Sequence, residues 1–186
     1  GLNELKGQRA AISRYGSGSH LMAYVNAMKL KWDTNSDLKF EVVKDLDGAV
    51  ESLSNKEADY FMWEKFTTKP LVDQKIFRRL GDCPTPWPCF VIAVRDEFII
   101  NEKETLQSIL KTINEITTSF KEIPEIDRII SERYQQKNED VKAWLELTEW
   151  SQKNIDPATV EAVQDQLLQL NIISEKWTYD QLVTTL

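Results

Sequence analysis

The residues best placed to do chemistry are Arg14-Tyr15-Gly16-Ser17-Gly18-Ser19-His20. They lie between an apolar run, Ala10-Ala11-Ile12-Ser13, and a helical pattern at Leu21, Tyr24, Val25 and Met28. Strand, Gly/Ser turn and amphipathic helix, in that order, aim backbone N–H groups at a ligand. The two glycines permit a tight turn and close approach of the backbone. Either serine hydroxyl fits a helix N-cap. This chemistry is that of a ligand-binding lobe. A lone glycine-rich turn is a weak signal, however, and an ordinary capped helix start explains it as well.

His20 is the sole histidine. At a helix start the helix dipole disfavours its charged form. No Cys or Ser is paired with it at a catalytic spacing, so it reads as a polar lining residue. Trp63 and Glu64 follow a third apolar segment, where open α/β sheets place ligands; the alternative is a core indole and a solvated helix-start charge. Trp87, in the proline-rich Pro84–Pro88 stretch, is either a hinge wedge or an aromatic wall of a cleft. No metal-ligand spacing and no cofactor motif appears. Cys83 and Cys89 are the two cysteines. They form either a small bridged loop or two buried thiols behaving as small hydrophobes, and the second is favoured.

The elements that must position these residues alternate. Strands are expected at about Arg9–Ser13, Lys39–Lys44, Tyr60–Trp63 and Ile76–Leu80. Helices are expected from the Gly/Ser turn to about Lys31, after a cap at Asp45 or Asp47, and from Thr67 with Pro70 in the first turn. The order βαβαβαβ signals a parallel sheet. Three prolines between Cys83 and Cys89 then mark a boundary, and Phe90–Val94 reads as one more buried strand. Beyond it the chain turns helical. Asn101 with Glu104 suggests a capping box, Pro124, Asn138 and Asp156-Pro157 suggest further starts, and Tyr179–Val183 a last short helix. Trp144, Trp150 and Trp177 read as packing residues. The expected divisions are 1–82, an α/β lobe; 83–100, a hinge and return strand; and 101–186, helical.

Composition narrows the partners. A formal charge of −7 over 186 residues disfavours nucleic acid or an anionic membrane as the main partner. No apolar run approaches the roughly 20 residues that span a bilayer. A soluble protein, cytoplasmic or periplasmic, is expected. The chain opens Gly1-Leu2 rather than with Met, and a fragment of something longer is expected.

With the Gly/Ser turn, Phe61-Met62-Trp63-Glu64-Lys65-Phe66-Thr67-Thr68 and Thr85-Pro86-Trp87-Pro88 in view, the chain resembles a known group. It is similar to type 2 periplasmic-binding-protein folds of the NMT1/THI5-like, SsuA-like kind, homologues of ABC transporter substrate-binding proteins. Leu5-Lys6-Gly7-Gln8-Arg9 and Ser17-Gly18-Ser19 fill the places of the motifs that open that group's second lobe. The resemblance implies a second lobe plus the helical C-terminal return, without the first half-lobe. It implies a small polar or anionic organic ligand held in an inter-lobe cleft, an ABC permease as partner, and a homodimer covering the truncated lobe. Backbone N–H groups of Ser19 and His20, with Ser17 Oγ, would grip a carboxylate, sulfonate or phosphate oxygen, and Gly18 would adopt left-handed backbone. Trp63, Glu64 and Trp87 would complete the site. The alternatives are a THI5-like pyrimidine-synthesis enzyme, whose cysteine-rich run is missing here, and the effector-sensing domain of a regulator.

Overall fold

A computed structural model describes residues 1–186 and divides them into two compact units, Gly1–Pro86 and Trp87–Leu186. The first unit is built on three parallel strands, β1 (Arg9–Ile12), β2 (Lys39–Val42) and β3 (Tyr60–Phe61), in the order β2-β1-β3. Ala10 lies opposite Phe40 on one side and Tyr60 on the other. Between the strands run α1 (Gly18–Lys29) and α2 (Leu46–Ser54), and α3 (Lys65–Asp73) follows β3.

The alternation of β1 sets the two layers. Ala10 and Ile12 pack with Ala23 of α1 and with Tyr60, while Ala11 packs with Ala49 of α2, Val43 and Ala58. Successive strand residues face opposite sides, so one helix covers each face. Small alanines on the central strand let both helices approach it closely. Arg9 joins the entry of β1 to that of β3 through a two-point pair with Asp59, at 2.9 and 3.0 Å. The side-chain hydrogen bond from Arg9 holds the Asp59 carboxyl below the usual aspartate range.

The helices end in a repeated way. Lys31, Lys56 and Lys75 adopt left-handed backbone just beyond α1, α2 and α3. The next N–H then reaches back to the helix: Trp32 to the Ala27 carbonyl at 2.8 Å, Glu57 to Ser52 at 2.8 Å, Ile76 to Leu71 at 2.9 Å. These are Schellman ends, with lysine where glycine is usual. The same closure prevents the expected strand at Ile76–Leu80. The N–H groups of Ile76 and Phe77 both bond to Leu71, and no sheet neighbour is reached. In α3 the cap is Glu64, three residues ahead of the expected start, which puts Pro70 in the second turn rather than the first.

The second unit is helical after residue 95: α4 (Asp96–Asn101), α5 (Lys103–Ser119), α6 (Ile126–Tyr134), α7 (Asn138–Leu147), α8 (Pro157–Gln169) and α9 (Tyr179–Leu182). Ile126, Val141 and Leu145 form its core with Phe120, Ile130, Trp144 and Trp150. Asp156 caps α8 as its sequence suggests, accepting the Thr159 N–H at 2.8 Å. Several expectations fail here. Asn101 closes α4 instead of capping α5, because the acidic Asp96 and Glu97 already start a helix. Asn138 is the first residue of α7, after Lys137 in the cap position. Trp177 is exposed, and its backbone rather than its ring is held, by Gln164. Phe90–Val94 forms no strand: it has no partner to take its backbone groups, and Phe90 has φ of 69° and is 95% exposed. Cys83 is half-buried and Cys89 exposed, with no disulfide, so the pair is not buried together. No helix is long and apolar enough to cross a membrane.

Candidate functional site

All three strands of the first unit point the same way, so the turns that leave them share one edge of the sheet. The chain runs from β1 to β2 on one side and then crosses to β3 on the other. Such a reversal opens a crevice outside the carboxyl ends of the two diverging strands. Here those strands are β1 and β3. The segment after β1 is Ser13–Ser17, and the one after β3 is Met62–Glu64. The topology therefore brings the Gly/Ser turn and Trp63 to one edge.

The turn is held by its own polar groups. The Ser17 N–H bonds to the Arg14 carbonyl at 3.2 Å. Gly16 takes φ of +76°, which a residue with a Cβ adopts at a cost. Gly18, by contrast, is helical, and a Cβ there would meet nothing within 4 Å. The left-handed glycine is thus Gly16, two residues earlier than expected; the first turn of α1 already sets the backbone at Gly18. Ser17 is the N-cap of α1, and its Oγ accepts the His20 N–H at 3.3 Å. The Ser17 and Ser19 hydroxyl oxygens lie 3.0 Å apart, and Ser19 Oγ also accepts the Ser13 N–H at 3.0 Å. Both serines are buried.

This network changes which groups face outward. His20 N–H and Ser17 Oγ satisfy one another, leaving Gly18 and Ser19 N–H as the first-turn donors without a protein acceptor. Two such donors at the positive end of a twelve-residue helix suit an anionic oxygen. His20 is 8% exposed, and its Nδ1 accepts the Gly16 N–H at 3.2 Å. Burial pushes its pKa down. Its ring meets those of Tyr15, Tyr24 and Phe40 edge-on, with centroids 5.3, 5.1 and 4.7 Å away.

Trp63 is 41% exposed and stacks on Phe61 at 5.1 Å, so it is neither core nor loose. Glu64 is occupied locally: its Oε2 accepts the Thr67 N–H at 2.6 Å and the Thr67 hydroxyl at 2.8 Å. Trp87 begins the second unit and is half-buried there. Tyr15, 65% exposed beside His20, lies in the stretch the sequence singles out but had no role assigned to it. Its signal was an aromatic next to a glycine that needs left-handed backbone. Surface hollows along Val72–Arg79 and between Gln107–Thr118 and Thr184–Leu186 include none of these residues.

Comparison with known proteins bears on the fold. Residues 2–83, nearly all of the first unit, match the family model described as Ca3427-like PBP. The solved Candida albicans CA3427 gene product, which exhibits the generic periplasmic binding protein fold, is 26% identical, with a TM-score of 0.82 over 91% of this chain. The fold is that of a periplasmic binding protein. The periplasmic aliphatic sulphonate binding protein SsuA from Escherichia coli shares it, at 12% identity and a TM-score of 0.60 over 99% of the chain. This periplasmic-binding-protein-like chain spans 58% and 61% of the lengths of those two solved chains. No curated protein matches it.

Proposed function

We propose that this chain is a solute-binding protein of the kind related to ABC transporters, and that it holds a small polar or anionic organic molecule without bond chemistry. The observation that carries the reading is the pair of uncommitted N–H groups, Gly18 and Ser19, at the carboxyl edge of the sheet. An anionic oxygen of the ligand rests on that pair. Trp63, held at the same edge by Phe61, contacts its flatter part. Ser17, Ser19 and His20 act by fixing the turn, and Glu64 by starting α3. Hydrogen bonds to a charged oxygen contribute about 1.5–3 kcal/mol each, enough for useful affinity from two donors and one apolar contact. The similarity to binding proteins supports this reading, as does the helix-start chemistry. The NMT1/THI5-like kinship, an ABC permease as partner and origin in a longer two-lobe protein all belong to the same proposal. We further propose that the chain self-associates through the exposed Phe90–Ile92 segment, which light scattering of the parent and a Val91→Lys variant would check.

The substitution Gly18→Pro tests the site with little damage to the fold. Proline is well tolerated at the first helical position, where it removes one N–H that the helix does not use. Ser17, at φ −82° and ψ 168°, already has the backbone that precedes proline. Ligands come from a melting-shift screen of small carboxylates, sulfonates and phosphates. The expected result is unchanged or raised stability with affinity reduced about tenfold or more. Undiminished affinity in Gly18→Pro would place the ligand elsewhere.

A further inference from the structure

The bond from Gly16 N–H to His20 Nδ1 joins the first turn of α1 back to the one residue of the ligand turn held at positive φ. An imidazole nitrogen accepts only through its lone pair, so the ring is neutral and its proton sits on Nε2. The groups that face the ring are few. They are Gly16 N–H and Tyr15 from the turn, Tyr24 from α1 itself and Phe40 from β2. The phenols are the titratable groups among them, and no carboxylate, lysine or arginine acts on the ring. The Gly16 N–H that faces Nδ1 is a donor and could not accept a proton from it.

We propose that His20 is a proton-operated latch on the ligand turn: neutral, it holds Gly16 in place, and protonated, it lets the turn open. The consequence for ligand affinity rests on the binding site proposed above; the latch itself does not. Protonation replaces the Nδ1 lone pair with an N–H, so two donors confront one another and the bond is lost. It also places positive charge in the first turn of α1, at the end of the helix that already carries partial positive charge. Cation–π attraction from three rings acts in the opposite sense; burial lowers the pKa of the ring from its ordinary value. The latch therefore opens on the acid side of the ordinary histidine value of 6.5. Its stabilising effect is complete above that value and is lost as pH falls below it, because the unfolded chain takes up the proton first.

The single histidine makes the test direct, since its ring resonances need no assignment. NMR of the whole chain follows the His20 ring, the Gly16 amide and the binding of methanesulfonate, whose charge does not change over the range. The His20 ring and the Gly16 amide should shift with one midpoint, below 6.5. Exchange protection of Gly16, corrected for intrinsic rate, should drop about tenfold across it. In His20→Gln, where an amide oxygen can still accept but cannot titrate, the Gly16 step should vanish. A Gly16 amide that ignores the His20 midpoint overturns the latch, as does a step that survives in His20→Gln. Methanesulfonate affinity should fall through the same midpoint. Affinity that instead rises would make His20 a charge for the anion and not a latch. If methanesulfonate moves neither Gly18 nor Ser19 at neutral pH, the proposed anion site fails, and the latch is still decided by Gly16.

Discussion

The Ser19 hydroxyl accepts the Ser13 N–H at 3.0 Å, so one side chain in the first turn of α1 holds the backbone just beyond β1. Without it, the Ser13 N–H has no partner near a buried serine pair, and a donor left unmade costs about 1–3 kcal/mol. We expect Ser19→Ala to lower unfolding free energy by about 2 kcal/mol. Ser17→Ala should lower it by about 1 kcal/mol, the usual loss of an N-cap. Urea titration of both variants checks the order. Equal, negligible losses would mean that the turn is held by its backbone alone.

Gly16→Ala should be destabilising by about 1–2 kcal/mol, the cost of left-handed backbone for a residue with a Cβ. Space is not the obstacle, because a Cβ at Gly16 would meet nothing within 4 Å. Gly18→Ala should be neutral or stabilising, since the residue is helical and its surroundings are open. Thermal unfolding of the two single variants separates them.

The lysines that close α1, α2 and α3 suggest a gain of stability. Each takes the position where glycine removes the Cβ penalty. Lys56→Gly and Lys75→Gly should each raise stability by about 0.5–1 kcal/mol, offset in part by loss of a cation near a helix C-terminus. Denaturant midpoints of the single and double variants check both size and additivity.

Tyr60 is buried beside Ala10 and Ile12, and its hydroxyl oxygen has no hydrogen-bond partner. Burial pushes its pKa up to about 12. The unfolded chain releases the proton near 10 and the folded chain near 12, so this group makes stability fall as pH rises above 10. Tyr60→Phe should raise stability by about 1 kcal/mol at neutral pH and flatten the alkaline decline. Chemical unfolding at neutral and alkaline pH measures both effects.

The parallel sheet was legible because β1 and β3 are short apolar runs and the Gly/Ser turn separates a strand from a helical period. The order β2-β1-β3 differs from chain order and was not read. Asp45 or Asp47 was offered as the cap of α2 and Asp156 as that of α8, and the helices take Asp45 and Asp156. Other features were hidden for physical reasons. Lysine in the left-handed position carries no glycine mark, so the Schellman end at Lys75 was invisible and Ile76–Leu80 passed for a strand. Phe90–Val94 has strand composition, but a strand is a relationship between two segments and this one has no partner. At the candidate site, spacing put Ser17 to His20 forward without showing which donors were already used. The Ser17–His20 bond takes the His20 N–H, which leaves Gly18 and Ser19 N–H as the open pair.

The anion site on Gly18 and Ser19 is tested most directly by amide-shift mapping of the whole chain during titration with small carboxylates, sulfonates and phosphates at neutral pH. Saturable shifts are expected to be largest at Gly18 and Ser19, accompanied by the Trp63 indole, and sharply reduced in Gly18→Pro. Saturable shifts centred on other residues, with Gly18 and Ser19 unmoved, would contradict it.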